Sequence, residues 1–399
     1  MKDNSQEAFF ALVRGGLWEK EVHYSQFGKV DYDEVMRLAE DQSVVGLVTA
    51  GLEHVLDTKV PQEILLQFIG QSLQIEQQNK AMNSFIAKLV DKMREASIYT
   101  LLVKGQGVAQ CYEKPLWRSC GDVDLFLSDD NYNKAKDLLI PLASEVEGEY
   151  VGIKHLGMTI DGWVVELHGS LRVGLPNRIN RVLDDIRQDT FYGGNVRSWN
   201  NNGTQVFLLG KENDVVYVFV HFLNHFYKGG IGLRQICDWC RLLWTFKDSL
   251  NYGLIESRIK KMGLMSEWKA FYALAVKYLG MPEVSGLTDV ESATPRHSSS
   301  KLGSAHGSTA DFMFQDSSSS KWEKKADKIM DFILMSGNFG HNRDMSYYSK
   351  YPFVIRKCCS MWMRVSDLYH HARIFPLDSL RFFPRIMWNG MRSAVRGEG

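Results

Sequence analysis

Apolar residues recur at three- and four-residue intervals through the first hundred positions, in "EAFFALVRGGLW", "DYDEVMRLAEDQSVVGLVTAGLEHVL" and "PQEILLQFIGQSLQIEQQNKAMNSFIAKLVDKMREA". That spacing gathers one apolar stripe on a helix, so residues 1–98 read as an N-terminal helical region. The third stretch has a Gln- and Asn-rich middle that predicts one wet face. Pro61 stands near its start, where a missing N–H costs the helix nothing.

The period changes at residue 99. "YTLLVKG" is a short β-rich run, and a helix is predicted over "GVAQCYEK". A strand follows in "DVDLFL", then a helix in "DDNYNKAKDLLIPLASEV" with an acidic first turn. "YVGIKHLGMTIDGWVVELHGSL" predicts a hairpin closed by Asp161-Gly162, and "NVRSWNNNGTQVFLLG" predicts another. Residues 99–210 therefore read as an α/β core. From 211 the helical period returns, with Val215, Phe219, Phe222, Leu223 and Phe226 along one stripe, and residues 211–399 read as a C-terminal helical domain. Residues 285–320 interrupt it with a Ser-rich, low-complexity run that reads as a flexible loop.

Composition narrows the class only a little. The 399 residues are 45% hydrophobic and 24% charged, with a formal net charge of zero, as expected of a globular protein and not of a polyanion binder. The N-terminus lacks the pattern of a signal peptide, and no run is apolar for the length of a spanning helix. Six irregularly spaced cysteines suit free thiols in a reducing compartment, so a cytoplasmic location is expected. "CDWC" has no second CxxC to complete a zinc site, and Cys237 and Cys240 read as structural.

Candidate chemistry centres on "SCGDVDLFLSDD". In a strand, Asp122 and Asp124 share one face while Val123, Leu125 and Leu127 take the other. In "WVVELHG", Glu166 and His168 share a face opposite Trp163, Val165 and Leu167. If the two strands are neighbours, three carboxylates converge, and a divalent cation that prefers oxygen ligands resolves their repulsion. Upstream, Gly105 and Gly107 allow close backbone approach to a ligand. Lys104 offers a point charge and Arg118 a planar fork for phosphate. The competing reading leaves the aspartates at a solvated strand end, with Lys104 and Arg118 as ordinary surface charges.

The order strand, Lys-Gly turn, helix, "RSCGDVDLFL", helix, "VELH" resembles the DNA polymerase β-like nucleotidyltransferase superfamily, and within it uncharacterised bacterial nucleotidyltransferase family proteins. His221, His225, "GIGLRQICDW" and "SGNFGHN" resemble later elements of that family. The resemblance implies an α+β fold, with a polymerase-β-like core (a mixed sheet with helices) flanked by helical N- and C-terminal regions. It also implies Mg²⁺ or Mn²⁺ held by Asp122, Asp124 and Glu166, with an NTP donor, ATP first among the four. NMP would pass to a hydroxyl-bearing acceptor (small molecule, protein or RNA), releasing pyrophosphate. Lys104, Gly105, Gly107, Arg118, His168, His221, His225 and Arg234 would bind substrate. The chain departs from the superfamily's Gly-Ser turn, carrying Lys104-Gly105-Gln106-Gly107 instead. The alternative is a catalytically inactive nucleotidyltransferase-fold protein that binds or regulates.

Two features have plainer readings. His221 and His225 stand at i and i+4 on one helical face but lack the glutamate of a zinc-protease helix, so packed histidines are favoured. The C-terminal segment mixes Arg373, Arg381, Arg385, Arg392 and Arg396 with aromatics. Packing on its own domain is favoured over contact with a membrane surface.

Overall fold

The computed structural model describes residues 4–282, 320–338 and 351–395. The expected Ser-rich loop therefore lies outside the described residues except for Ser320, as does "SGNFGHN" beyond residue 338. Helices α1 (Asn4–Trp18), α2 (Tyr32–Asp41), α3 (Val45–Glu53) and α4 (Gln62–Glu95) precede the sheet. The single periodic stretch read from the sequence over residues 31–56 is thus two helices. The chain turns between them at Ser43, which has φ +55°. Gln42 is fully buried there, and its side-chain carbonyl accepts from the Leu233 N–H at 3.0 Å. The break anchors a segment almost two hundred residues away.

α4 has the expected wet face, with Gln74, Gln77 and Gln78 exposed, and also buries two asparagines of that polar stretch. Asn79 and Asn83 are buried. Asn79 donates to the carbonyls of Leu116 and Arg118 at 2.7 and 2.8 Å, and the carbonyl of Asn83 accepts from Asn201 at 2.7 Å. The Asn79 side chain and the Asn83 backbone carbonyl thus bind α4 to the segment that enters the sheet and to the sheet itself.

The strands are β1 (Thr100–Val103), β2 (Asp122–Leu127), β3 (Glu145–Val146), β4 (His155–Ile160), β5 (Trp163–His168), β6 (Val196–Asn201) and β7 (Thr204–Leu209). They form a mixed seven-stranded sheet in the order β3-β4-β5-β2-β1-β7-β6. β2 runs parallel to β5 and β1 parallel to β7, whereas β1 and β2 are antiparallel. Both expected hairpins form. Asp161 and Gly162 turn with φ +50° and +81°, the positive pair that a two-residue loop with right-handed strand twist requires. Between strands lie α5 (Gly105–Ala109), α6 (Asp129–Leu139) and α7 (Asn177–Phe191). α5 is shorter than the helix expected through Lys114.

Each face of the sheet has its own core. Val123, Leu125, Leu127, Val165 and Leu167 pack with Phe85, Ile86 and Leu89 of α4 and Tyr132 of α6. On the other face, Leu101, Val103 and Phe126 join a larger core. That core takes in α1, α3, α8 (Lys211–Lys228), α9 (Leu233–Thr245), α10 (Tyr252–Met262) and α11 (Met265–Leu279). Val215, Phe219, Phe222, Leu223 and Phe226 of α8 are all fully buried, so this helix runs through the middle of the packing. Helices α12 (Ser320–Ser336), α13 (Phe353–Ala372) and α14 (Pro376–Val395) complete the described chain. Among the described residues no helix is long and apolar enough to cross a membrane.

Candidate metal centre

The alternation that buries Val123 and Leu125 turns Asp122 and Asp124 toward α8 and α9. β5 lies alongside in parallel register, with Asp124 opposite Glu166 and Asp122 opposite Val164. Ligand oxygens of Asp122, Asp124 and Glu166 all lie within 4.8 Å of one another. Asp124 is buried, while Asp122 and Glu166 are partly exposed. The sheet thus holds three carboxylates side by side, two of them partly open to solvent.

Basic side chains surround them. Lys104 Nζ stands 2.7 Å from Asp124 Oδ1, and His168 Nε2 stands 2.8 Å from the same oxygen. His155 Nε2 lies 3.1 Å from Glu166 Oε2 and His168 Nε2 lies 3.3 Å from it. Burial alone would lower the pKa of Lys104, but Asp124, then Tyr217, Asp122 and Glu166, push it above its ordinary value. His168 follows the same logic: burial lowers it, and the hydrogen bonds with Asp124 and Glu166 raise it further. Burial would raise Glu166, yet contacts with His155 and His168 hold it far below the usual carboxylate range. Asp122 moves the other way, raised first by the Asp124 charge and then by burial. The set is therefore short of positive charge at Asp122, on its open side.

The donor chemistry fits a hard divalent ion such as Mg²⁺, which takes carboxylate oxygens and keeps positions for water and phosphate. Asp124 Oδ1 is already engaged, so its second oxygen, with Asp122 and Glu166, would carry that role.

Lys104 has φ +57° and ψ −147°, a conformation close to one that is almost confined to glycine. The ion pair to Asp124 offsets the strain of this geometry. Gly105 follows at φ +41°, where a Cβ would stand 3.2 Å from Cys120 Sγ. Gly107 has a different cause from the ligand approach expected of it: a Cβ there would meet Leu208 Cδ2 at 2.8 Å, so close packing of α5 on β7 explains it. Gln106 turns away from the carboxylates and donates to Asn79 Oδ1 at 2.6 Å.

Arg118 also departs from expectation. It is buried, and its Nε and Nη2 donate to the two oxygens of Asp238 in α9 at 3.0 and 2.5 Å. Its fork is occupied, which makes it a strut between the β2 approach and α9, not a free phosphate ligand. Arg234, at the start of α9, donates from Nη1 to the Ser119 carbonyl at 2.9 Å, and its buried Nε has no hydrogen-bond partner. Burial and then the Arg118 charge lower its pKa, while its own charge lowers that of Asp122.

His221 and His225 share one face of α8, with ring centroids 4.7 Å apart. Burial and the Lys104 charge push both down, His225 to about 4, so both are neutral at pH 7. Tyr217, one turn earlier, is raised to about 12 by burial, against the pull of Lys104.

Sequence reading missed His155 and Tyr217. His155 was within reach: a two-residue turn at Asp161-Gly162 pairs Ile160 with Trp163 and, counting outward, His155 with His168. Tyr217 gave no local signal, because it meets the site only through the packing of α8 on the sheet. Cys237 and Cys240 are free and fully buried, with thiols raised by burial.

A mixed sheet bearing a D-x-D strand beside a parallel strand with a third carboxylate defines a protein of the nucleotidyltransferase class. The chain belongs to the family described as uncharacterised nucleotidyltransferase, which matches residues 28–280. It is also similar to an antigenic nucleotidyltransferase-like protein from Paracoccidioides brasiliensis whose crystal structure is known. That similarity is slight: 15% identity over 46% of this chain and 90% of the other, with a TM-score of 0.29, too low to carry an argument. No curated protein matches the chain.

Proposed function

We propose that the protein transfers a nucleoside monophosphate from an NTP to an acceptor hydroxyl, with Asp122, Asp124 and Glu166 holding Mg²⁺ or Mn²⁺. The observation that carries this is the parallel register of Asp124 with Glu166, with Asp122 on the same side. When bound, the metal would supply charge stabilisation for the transferring phosphoryl group. The acceptor oxygen bonds to the α-phosphorus as the bond to the bridging oxygen of the β-phosphate breaks. Pyrophosphate leaves and the hydroxyl proton passes to solvent. Glu166 binds the ion and helps activate the acceptor hydroxyl, with His155 and His168 holding its Oε2. Lys104 and the Nε of Arg234 face developing phosphate charge, His168 fixes both Asp124 and Glu166, and Gly105 leaves room at the turn. His221 and His225 line the α8 side in neutral form. The domain limits 99–210 for the core and 211–399 for the helical part belong to the same reading, as does a cytoplasmic location.

The test is incubation of the purified protein and a cell extract with labelled ATP, GTP, CTP and UTP plus Mg²⁺. Label moving to an acceptor, with pyrophosphate released and the Asp124→Asn variant silent, is the expected result. A second reading, a non-reacting nucleotide-binding protein, is favoured by one observation: Lys104 and His168 already hold the same oxygen of Asp124. NTP binding with no Mg²⁺-dependent pyrophosphate release would select it.

A further inference from the structure

β4 and β5 bring a second set of donors together beside the carboxylates. His155 and His168 are direct cross-strand partners, so both imidazoles rise from the same face side by side. Glu166 stands two residues before His168 on that face. Both Nε2 atoms converge on one oxygen, Glu166 Oε2, at 3.1 and 3.3 Å, and the three donor atoms lie within 4.8 Å of one another.

Donors bound about 2.0–2.1 Å from one ion stand about 3.0–3.4 Å apart at neighbouring corners of its coordination shell. Both nitrogen-to-oxygen separations fall in that interval. The position is also reachable: the His155 and Glu166 side chains keep 19% and 27% of their exposure, which leaves room for further ligands. Rigidity comes from the hairpin, whose tight turn sets the pairing of all three residues without help from a loop.

Two imidazoles and one carboxylate are a different donor set from three carboxylates. Imidazole nitrogen favours zinc, iron, cobalt and nickel, whereas Mg²⁺ favours oxygen throughout. We propose that His155, Glu166 and His168 form a binding position for a borderline divalent ion of the Zn²⁺, Fe²⁺ or Co²⁺ class, with Glu166 shared between it and the carboxylate set. Asp124, 2.8 Å from His168 Nε2, borders the position. The inference goes beyond nucleotidyl transfer, because it concerns ion binding in the absence of nucleotide and stands or falls separately from that reaction.

The experiment uses the full-length protein, stripped with chelator and titrated with Co²⁺ while visible absorption is recorded, with no nucleotide present. Wild type binds at least one equivalent, the tightest at the imidazole position. His155→Gln weakens that binding by at least about tenfold, since even partners outside the first coordination shell cost tenfold or more when lost. Asp122→Asn, which alters only the carboxylate set, retains it. Far-UV circular dichroism confirms that each variant is folded. Equal Co²⁺ binding by wild type and His155→Gln overturns the proposal, as does loss in Asp122→Asn alone. Either result would leave the imidazoles as hydrogen-bond partners of Glu166 and leave the transfer reaction untouched.

Discussion

Asp124 and Glu166 face each other across two parallel strands, and His168 Nε2 bridges them at 2.8 and 3.3 Å. The two carboxylates come from segments forty residues apart, and a cross-strand neighbour relation holds them together. That relation makes the pair behave as a unit, with the first acidic residue of β2, Asp122, as its open edge. The consequences for reactivity, stability and pH response differ from residue to residue.

Asp124→Asn and Glu166→Gln each remove a ligand oxygen's charge without changing shape. Metal stabilisation of a phosphoryl transition state is worth several kcal/mol. Each variant should therefore lose at least about 10³-fold in kcat/KM for NMP transfer, measured by pyrophosphate release, while the circular dichroism spectrum stays unchanged.

Asp122→Asn should raise stability where it lowers activity. The Asp122 carboxyl is raised above its ordinary value, first by Asp124 and then by burial. A raised carboxyl binds protons more tightly folded than unfolded, so it favours the folded state at low pH and loses that contribution as pH rises. The metal-free Asp122→Asn variant should melt above wild type at pH 7. The gap should close when the pH falls below the ordinary aspartate range, and again when Mg²⁺ is added to both. Melting curves at several pH values give the answer, and a variant less stable than wild type at pH 7 would contradict it.

The Arg118–Asp238 pair ties the approach to β2 onto α9, with both side chains buried. Removing one member of a buried ion pair leaves the other charge uncompensated, at a cost of about 3–5 kcal/mol. Arg118→Ala should lower stability by that order in urea denaturation. Arg118→Lys should rescue it only in part, because an ammonium cannot reproduce the two-point contact.

His225 is pushed down to about 4, by burial first and then by Lys104 and Lys228. A histidine whose folded pKa lies below its unfolded value favours the folded state above about pH 6.5. That contribution disappears as the pH falls toward 4, at a rate of about 1.4 kcal/mol per unit of displacement. The protein should lose stability between pH 6.5 and 4, and His225→Gln should flatten that part of the profile. Chemical denaturation at half-unit pH steps measures it.

Local pattern was enough for much of this. Alternation in "DVDLFL" put Asp122 and Asp124 on one face with Val123, Leu125 and Leu127 on the other, because strand geometry has a period of two whatever the neighbours. Asp161-Gly162 set the β4–β5 register, and with it the pairing of His155 and His168, because a two-residue turn leaves no freedom in the count. The stripe from Val215 to Phe226 marked α8 as a core helix. The change of period at residue 99 and its return at 211 separated the sheet-forming stretch from the helices around it.

Only the tertiary structure decided which strand lies beside which. Alternation says which face a carboxylate takes but not who stands next to it, and the parallel β2–β5 pairing is selected by how both strands pack on α4 and α6. The same holds for Arg118, whose partner Asp238 lies 120 positions away, and for Asn79, a polar residue buried where the distant Leu116 and Arg118 carbonyls accept from it. Gly107 looked like part of a phosphate turn and is instead a contact with Leu208. A local pattern fixes the direction of a side chain, whereas its partner is settled by free energies of packing summed over the whole chain.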